Sequence, residues 1–128
     1  MKKTLCLILF CLVVFSGKNL YAQQGFKEAL DNFHNTLAFT YHPMVDDSNF
    51  TPIRKRSGEL AAAAANVEKS LDAKKARNEK LEAGVEQLAE QCKALDEVIQ
   101  KGATDDIIRT RLSAIHTKFH ELEALSED

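Results

Sequence analysis

Six apolar residues between positions 81 and 99 recur at alternating spacings of four and three. They are Leu81, Val85, Leu88, Cys92, Leu95 and Ile99. An α-helix advances about 3.6 residues per turn, so this spacing places all six on one stripe of a helix, which other apolar surfaces must cover. Lys101-Gly102 follows, and glycine is favoured just past the end of a helix. The stripe predicts an amphipathic helix that is packed against similar helices.

An earlier segment has the same pattern and is predicted to form the first helix. Its apolar positions are Phe26, Leu30, Phe33 and Leu37. Proline disfavours helical geometry in the residue before it, so Pro43 is expected to end this helix near Tyr41 or His42. Residues 42–50 would then form a loop, which carries Asp46 and Asp47 among its polar residues.

Two further helices follow from their start signals. Thr51-Pro52 predicts an N-cap and a proline in the first turn, and this helix would run through an alanine block to about Leu71. Residues 70–78 lack apolar periodicity and fit either a turn or a solvated helix start. Thr104 is expected to cap the last helix, with two aspartates in its first turn, where negative charge is favourable.

The four predicted helices define the fold class. No alternating run of β-branched or aromatic residues predicts a strand. Four amphipathic helices joined by short connections are typical of an all-α, antiparallel up-and-down four-helix bundle. The bundle domain would span residues 23–128, which at 106 residues is large enough for one core.

The first 22 residues have the pattern of a signal peptide. Lys2 and Lys3 precede an apolar run from Leu5 to Phe15, and Ala22 provides a small residue at a cleavage site. The run is shorter than the roughly 20 residues that a bilayer span requires, and a retained N-terminal anchor is the alternative. The sequence predicts export, with the periplasm as the destination.

Removal of this segment leaves a mildly acidic chain with one cysteine. Three of the 17 Lys and Arg residues lie before residue 23, so 14 remain against 19 Asp and Glu, a net charge of −5. This charge does not favour nucleic-acid binding, because no basic groove is available for phosphates. Cys92 alone stays, which excludes an intramolecular disulfide, and its place in an apolar stripe favours a packing role.

The strongest candidate for a functional site is the histidine pair His116 and His120 on the last predicted helix. Side chains four residues apart on a helix are neighbours, and two neutral imidazoles so placed can bind one metal ion. His42 is the expected third ligand, with His34 as the alternative. Pairing the start of the first helix with Leu122 puts His34 level with residues 115–116. The same pairing puts His42 level with residues 107–108, from where it reaches the pair only if the helix ends early or the loop of residues 42–50 folds back.

Catalytic motifs are missing from the sequence. A zinc-protease HExxH motif requires glutamate after the first histidine, but Thr117 stands there. Glu-x-x-His pairs of the di-iron type are excluded by Ser113 and Thr117, and no GxSxG, P-loop or dinucleotide fingerprint is present. The sequence does not predict an enzyme.

The exported four-helix layout, with a ligand-bearing last helix, resembles the cytochrome c-prime and soluble b-type cytochrome bundles. The resemblance implies a haem-ligating histidine near the end of the last helix, which corresponds to His116 or His120. The Cys-x-x-Cys-His motif of the c-prime group is replaced by residues 115–120, Ile-His-Thr-Lys-Phe-His, so covalent haem is excluded. A b-type haem would require a methionine in the first helix, whereas Met44 is expected in the following loop.

A second resemblance rests on Tyr41-His42-Pro43, on residues 49–54 and on the spacing Leu112-x3-His116-x3-His120. This combination is similar to a group of small exported bacterial helical proteins associated with transition metals.

The sequence therefore predicts a periplasmic bundle that binds zinc, copper or nickel through His42, His116 and His120. Asp46, Asp47 or water could complete a tetrahedral site. The alternatives are a non-covalent haem b protein and a structural protein whose exposed Lys and Glu faces meet a periplasmic or membrane protein.

Overall fold

The computed structural model describes residues 25–71 and 78–127, all but ten of which are helical, and the predicted signal peptide lies outside this part of the chain. The four helices are α1 (Phe26–Asp47), α2 (Thr51–Ser70), α3 (Glu79–Gln100) and α4 (Asp105–Glu127). The described residues contain no strand, which confirms the all-α prediction.

The helices contact one another in sequence order. α1 packs against α2, α2 against α3 and α3 against α4, and α4 returns to α1. Residues 48–50 join α1 to α2, and residues 101–104 join α3 to α4. Such short connections reverse the chain direction, so neighbouring helices are antiparallel. The predicted up-and-down four-helix bundle is confirmed. None of the four helices is long and apolar enough to cross a membrane.

The core consists of the apolar stripes that the sequence predicts. All six stripe residues of α3 are buried, with exposed fractions of 8% or less. On the α1–α4 side, Phe33 and Phe119 are buried and their ring centroids lie 5.7 Å apart. Burial of each such side chain contributes roughly 1.5–3 kcal/mol. The contact between Phe33 and Phe119 fixes which faces of α1 and α4 meet, and it thereby positions the histidines that lie next to these two residues.

The predicted end of α1 at Tyr41 or His42 is wrong, because the helix continues through Pro43 to Asp47. The apolar stripe continues as well: Thr40 and Met44 are fully buried. The hydroxyl of Thr40 donates a hydrogen bond to the carbonyl oxygen of Leu37 at 3.0 Å, which satisfies its polar group inside the core. Burial of Met44 stabilises a last turn of α1 beyond the point at which Pro43 alone would end the helix.

The helix ends at a left-handed residue. Ser48 has a φ of 53°, and the backbone N–H groups of Ser48 and Asn49 both donate to the carbonyl oxygen of Pro43. The loop predicted for residues 42–50 is therefore reduced to residues 48–50.

Replacing Pro43 with alanine is expected to stabilise the protein. Alanine restores a backbone N–H inside α1 and removes the proline ring, for a gain of about 1–2 kcal/mol after the greater freedom of the unfolded chain is subtracted. Urea denaturation of Pro43→Ala followed by circular dichroism would measure the change. A loss of stability would show that the proline ring itself packs favourably.

The helix caps agree with the sequence between α3 and α4 and differ at the start of α2. The Thr104 hydroxyl accepts a hydrogen bond from the N–H of Ile107 at 3.4 Å, as a cap of α4 should. Gly102 has a φ of 84° just past α3, as predicted. Thr51 is not the N-cap of α2: that position belongs to Phe50, and the Asn49 side chain instead accepts from the Thr51 N–H at 3.1 Å.

The start of α3, for which residues 70–78 fit either a turn or a helix start, is set by Asn78. Its side-chain oxygen accepts hydrogen bonds from the N–H groups of Lys80 at 3.0 Å and Leu81 at 3.3 Å. Asparagine is among the preferred N-cap residues because it satisfies donors that have no partner within the helix.

Candidate metal site

The predicted histidine pair is formed on α4 at its edge with α1. The Nε2 atoms of His116 and His120 lie 3.1 Å apart, and the ring planes meet at 82°. Ile115 and Phe119, which alternate with the two histidines along the helix, are buried in the core. Burial of these two residues fixes the rotation of α4 and so keeps both imidazoles at the surface edge.

The separation of these two nitrogens suits a shared metal ion. Imidazole nitrogens bind zinc at about 2.0–2.1 Å. At that bond length, a separation of 3.1 Å corresponds to a nitrogen–metal–nitrogen angle of about 98°. This angle lies between the right angles of square-planar or octahedral sites and the tetrahedral angle. A small side-chain adjustment would therefore reach any of these geometries.

Tyr41 of α1 covers the His116 ring. The two rings are stacked, with centroids 3.9 Å apart and planes only 7° from parallel. This contact crosses from α1 to α4 and limits rotation of the imidazole about its last side-chain bond. No local pattern in the sequence predicts Tyr41 as a site residue, because its contact with His116 depends on the packing of the two helices.

Glu123 lies on the other side of His120. Its Oε2 atom is 3.5 Å from His120 Nδ1, the ring nitrogen that does not face His116. That oxygen is buried and accepts no hydrogen bond from the described residues. The side chains of His120 and Glu123 are 53% and 42% exposed, so both border solvent although the Oε2 atom itself is covered.

The local environment favours neutral imidazole at His116. Burial lowers the pKa of His116 below its usual value, and the positive charges that His120, His42 and His34 can carry lower it further. All four histidines of the chain therefore act on one edge of the bundle. A neutral ring is the form that binds a metal ion.

The lowered pKa of His116 predicts a pH dependence of stability in the metal-free protein. The unfolded chain binds a proton at this residue more readily than the folded protein, so the free energy of unfolding should fall as the pH drops below about 6.5. Thermal melts between pH 8 and pH 5 in the presence of chelator would measure this. The fall should be shallower in His116→Gln, and an equally steep fall would assign the effect to other groups.

His42 and His34 lie on α1, the helix whose Tyr41 covers His116. The His42 ring contacts Tyr41 edge-on with centroids 5.9 Å apart, and its Nδ1 atom is 4.0 Å from Asp46 Oδ2. His34 instead stacks on Phe119 at 4.8 Å. Both histidines are exposed.

The expected register of α1 against α4 is wrong. His34 lies level with Phe119 rather than with residues 115–116, and Tyr41 lies level with His116. His42 is therefore close to the level of the pair and not of residues 107–108. The physical reason is that the buried phenylalanines of both helices pair with each other, which slides α4 by one to two turns relative to the assumed pairing.

The structure brings together two of the three predicted ligands. Within residues 25–71 and 78–127, no three His, Cys, Asp or Glu side chains converge as a ready metal-ligand group. The Tyr41 ring contacts both His42 and His116, with centroid distances of 5.9 Å and 3.9 Å. Recruitment of His42 as a third ligand would require its side chain to turn towards the pair.

The two sulfur-containing residues of the bundle lie in the core. Met44 is fully buried in α1 and not in a loop, contrary to the sequence expectation. Cys92 is also fully buried, and burial raises the pKa of its thiol to about 12. Its side chain is therefore a protonated thiol that packs as a small apolar group, since the thiolate is the form that reacts and binds metals.

Comparison of the chain with protein-family models, with curated proteins and with solved structures found no match.

Proposed function

We propose that this chain is an exported periplasmic protein that reversibly binds one divalent transition-metal ion, with His116 and His120 as its principal ligands. The observation that supports this most directly is the 3.1 Å separation of their Nε2 atoms, which is a chelating distance for imidazoles. Zinc, copper and nickel all accept such ligands, and copper(II) should bind most tightly of the three.

His42 is the third ligand in this proposal, and water completes the coordination. The His42 ring is exposed, lies near the level of His116 and contributes to the lowered pKa of that residue. Asp46 stands beside His42 at 4.0 Å and would remain as a carboxylate partner for its other ring nitrogen, an arrangement common around metal-bound histidines.

The proposed role is metal buffering, carriage or sensing without catalysis. A site with neutral imidazole ligands at a solvent-exposed edge exchanges its metal more readily than a buried site with four protein ligands. The role fits a chain whose described part otherwise consists of an apolar core and charged faces.

The direct test is the metal content of untagged protein purified from periplasm, together with its absorbance spectrum. Stoichiometric zinc, copper or nickel that chelator removes with a loss of thermal stability is expected. A Soret band would instead favour haem b bound through His116 or His120. A colourless, metal-free protein whose melting temperature ignores all three metals and haem would contradict both functions and leave a protein-interaction role.

The third ligand is tested by comparing two single variants. His42→Ala is expected to weaken zinc binding about 10–100-fold, whereas His34→Ala should leave it within twofold, because His34 is stacked on Phe119. Isothermal titration of both proteins with zinc measures the two affinities. The reverse ranking would assign the third position to His34.

A further inference from the structure

We propose that Glu123 is a positioning residue that holds His120 in the tautomer protonated at Nδ1, which leaves Nε2 free for the metal ion. This inference rests on the proposed metal-binding function, but its first consequence can be measured in metal-free protein.

The argument begins with the Glu123 carboxylate. Its Oε2 atom is buried and accepts no hydrogen bond from the described residues. A buried carboxylate oxygen without a donor is costly. Its close neighbour is His120 Nδ1 at 3.5 Å, which is longer than the roughly 2.7–2.9 Å of a charge-assisted hydrogen bond. A proton on Nδ1 gives this oxygen a partner after a small rotation of either side chain.

The tautomer of His120 then determines the hydrogen bond to His116. A neutral imidazole carries one N–H, so a proton on Nδ1 makes His120 Nε2 an acceptor. The 3.1 Å contact between the two Nε2 atoms must then have its proton on His116 Nε2. In the metal-free protein, one proton therefore occupies the position between the rings that the metal ion would take.

Metal binding would require one proton to move from one ring nitrogen of His116 to the other. The lone pair of His120 Nε2 is already available for the metal. His116 must transfer its proton from Nε2 to Nδ1 through solvent, and the freed Nε2 lone pair becomes the second ligand. No net proton is released if both rings are neutral at the start. Glu123 thus prepares one ligand, and only the other has to change tautomer.

The chain provides a matched control on the same helix. Glu121 is also within the last two turns of α4, but it pairs with Lys118 at 2.8 Å rather than with a histidine. Substitution of Glu121 changes the net charge by the same amount as substitution of Glu123, without removing a partner of His120.

Long-range ¹H–¹⁵N correlation spectra of metal-free protein at pH 8 test the tautomer. In the wild type and Glu121→Gln, His120 is expected to be protonated at Nδ1. In Glu123→Ala, the His120 population should shift towards the Nε2-protonated form. Glu123→Gln, whose amide oxygen can still accept from Nδ1, should restore the wild-type pattern. His120 protonated at Nε2 in the wild type, or unchanged in Glu123→Ala, would overturn the inference.

Zinc titration of the same four proteins tests the consequence for binding. Loss of a carboxylate partner typically weakens metal binding 10–100-fold, and we expect this range for Glu123→Ala with a smaller loss for Glu123→Gln. Equal affinities in the wild type and Glu123→Ala would overturn the positioning role. Failure of the wild type to bind any metal would instead contradict the proposed function, while the spectra still decide whether Glu123 sets the tautomer.

Discussion

The double substitution His116→Ala/His120→Ala is expected to abolish stabilisation of the protein by metal. A ligand that binds only the folded state stabilises it by about 2.7 kcal/mol at a hundredfold excess over its dissociation constant. Both proposed principal ligands are lost in this variant, so melting temperatures with zinc and with chelator should coincide. In the wild type they should differ by several degrees.

Two controls separate loss of ligands from loss of structure. Thr117→Ala/Glu121→Ala changes two exposed residues at the same spacing on the same helix and should keep the full response to zinc. His116→Phe keeps an aromatic ring against Tyr41 but removes both nitrogens, and it should also lose the response. An unchanged response to zinc in His116→Ala/His120→Ala would contradict the proposed site.

Phe33→Ala is expected to cause a large loss of stability. The Phe33 side chain is fully buried in α1 and lies against Phe119 of α4, with ring centroids 5.7 Å apart. Removal of a buried aromatic ring costs about 3–5 kcal/mol, because both the transfer energy and the packing of its neighbours are lost. Urea denaturation at neutral pH in the presence of chelator would measure this loss.

Phe39→Ala is the matched control for this prediction. Phe39 also lies on α1, but it is 52% exposed and its main described contact is the Arg56 guanidinium, 4.2 Å from the ring centroid. An exposed cation–π contact contributes about 0.5–1 kcal/mol, so the loss should be small. Similar losses in the two variants would contradict the arrangement of α1 in the bundle.

The helices and the bundle could be predicted from the sequence because their signal is local and periodic. Each stripe repeats at the helical period over several turns, and a chain with four such stripes can cover them only by bringing them together. The α3 stripe from Leu81 to Ile99 was predicted residue by residue and is buried as expected.

The end of α1 and its register against α4 required tertiary information. Proline predicts a helix end from backbone geometry alone, and the burial of Met44 that overrides it depends on neighbouring helices. The register depends on which large side chains meet across the interface. The contact between Phe33 and Phe119 sets the register. The expected register instead rested only on pairing the start of α1 with the end of α4.

The candidate site also contains both residues that the local sequence predicts and residues that only the packing of the helices brings together. His116 and His120 are neighbours because they share one helix, so their spacing was sufficient to predict the pair. Glu123, three residues after His120, has a comparable local signal, because side chains three residues apart on a helix are neighbours. Tyr41 had none, since its stacking on His116 arises only when α1 and α4 meet.

The stacking of Tyr41 on His116 also gives the protein an intrinsic optical reporter. The chain has no tryptophan and only two tyrosines, and Tyr21 lies in the predicted signal peptide. In the mature chain, all of the phenol fluorescence would therefore come from a ring whose centroid is 3.9 Å from that of His116. Copper(II) or nickel(II) bound to that imidazole should quench this emission through their partly filled d shells, whereas zinc(II), with a filled shell, should leave most of it. Tyrosine fluorescence would thus distinguish bound zinc from bound copper or nickel in unlabelled protein.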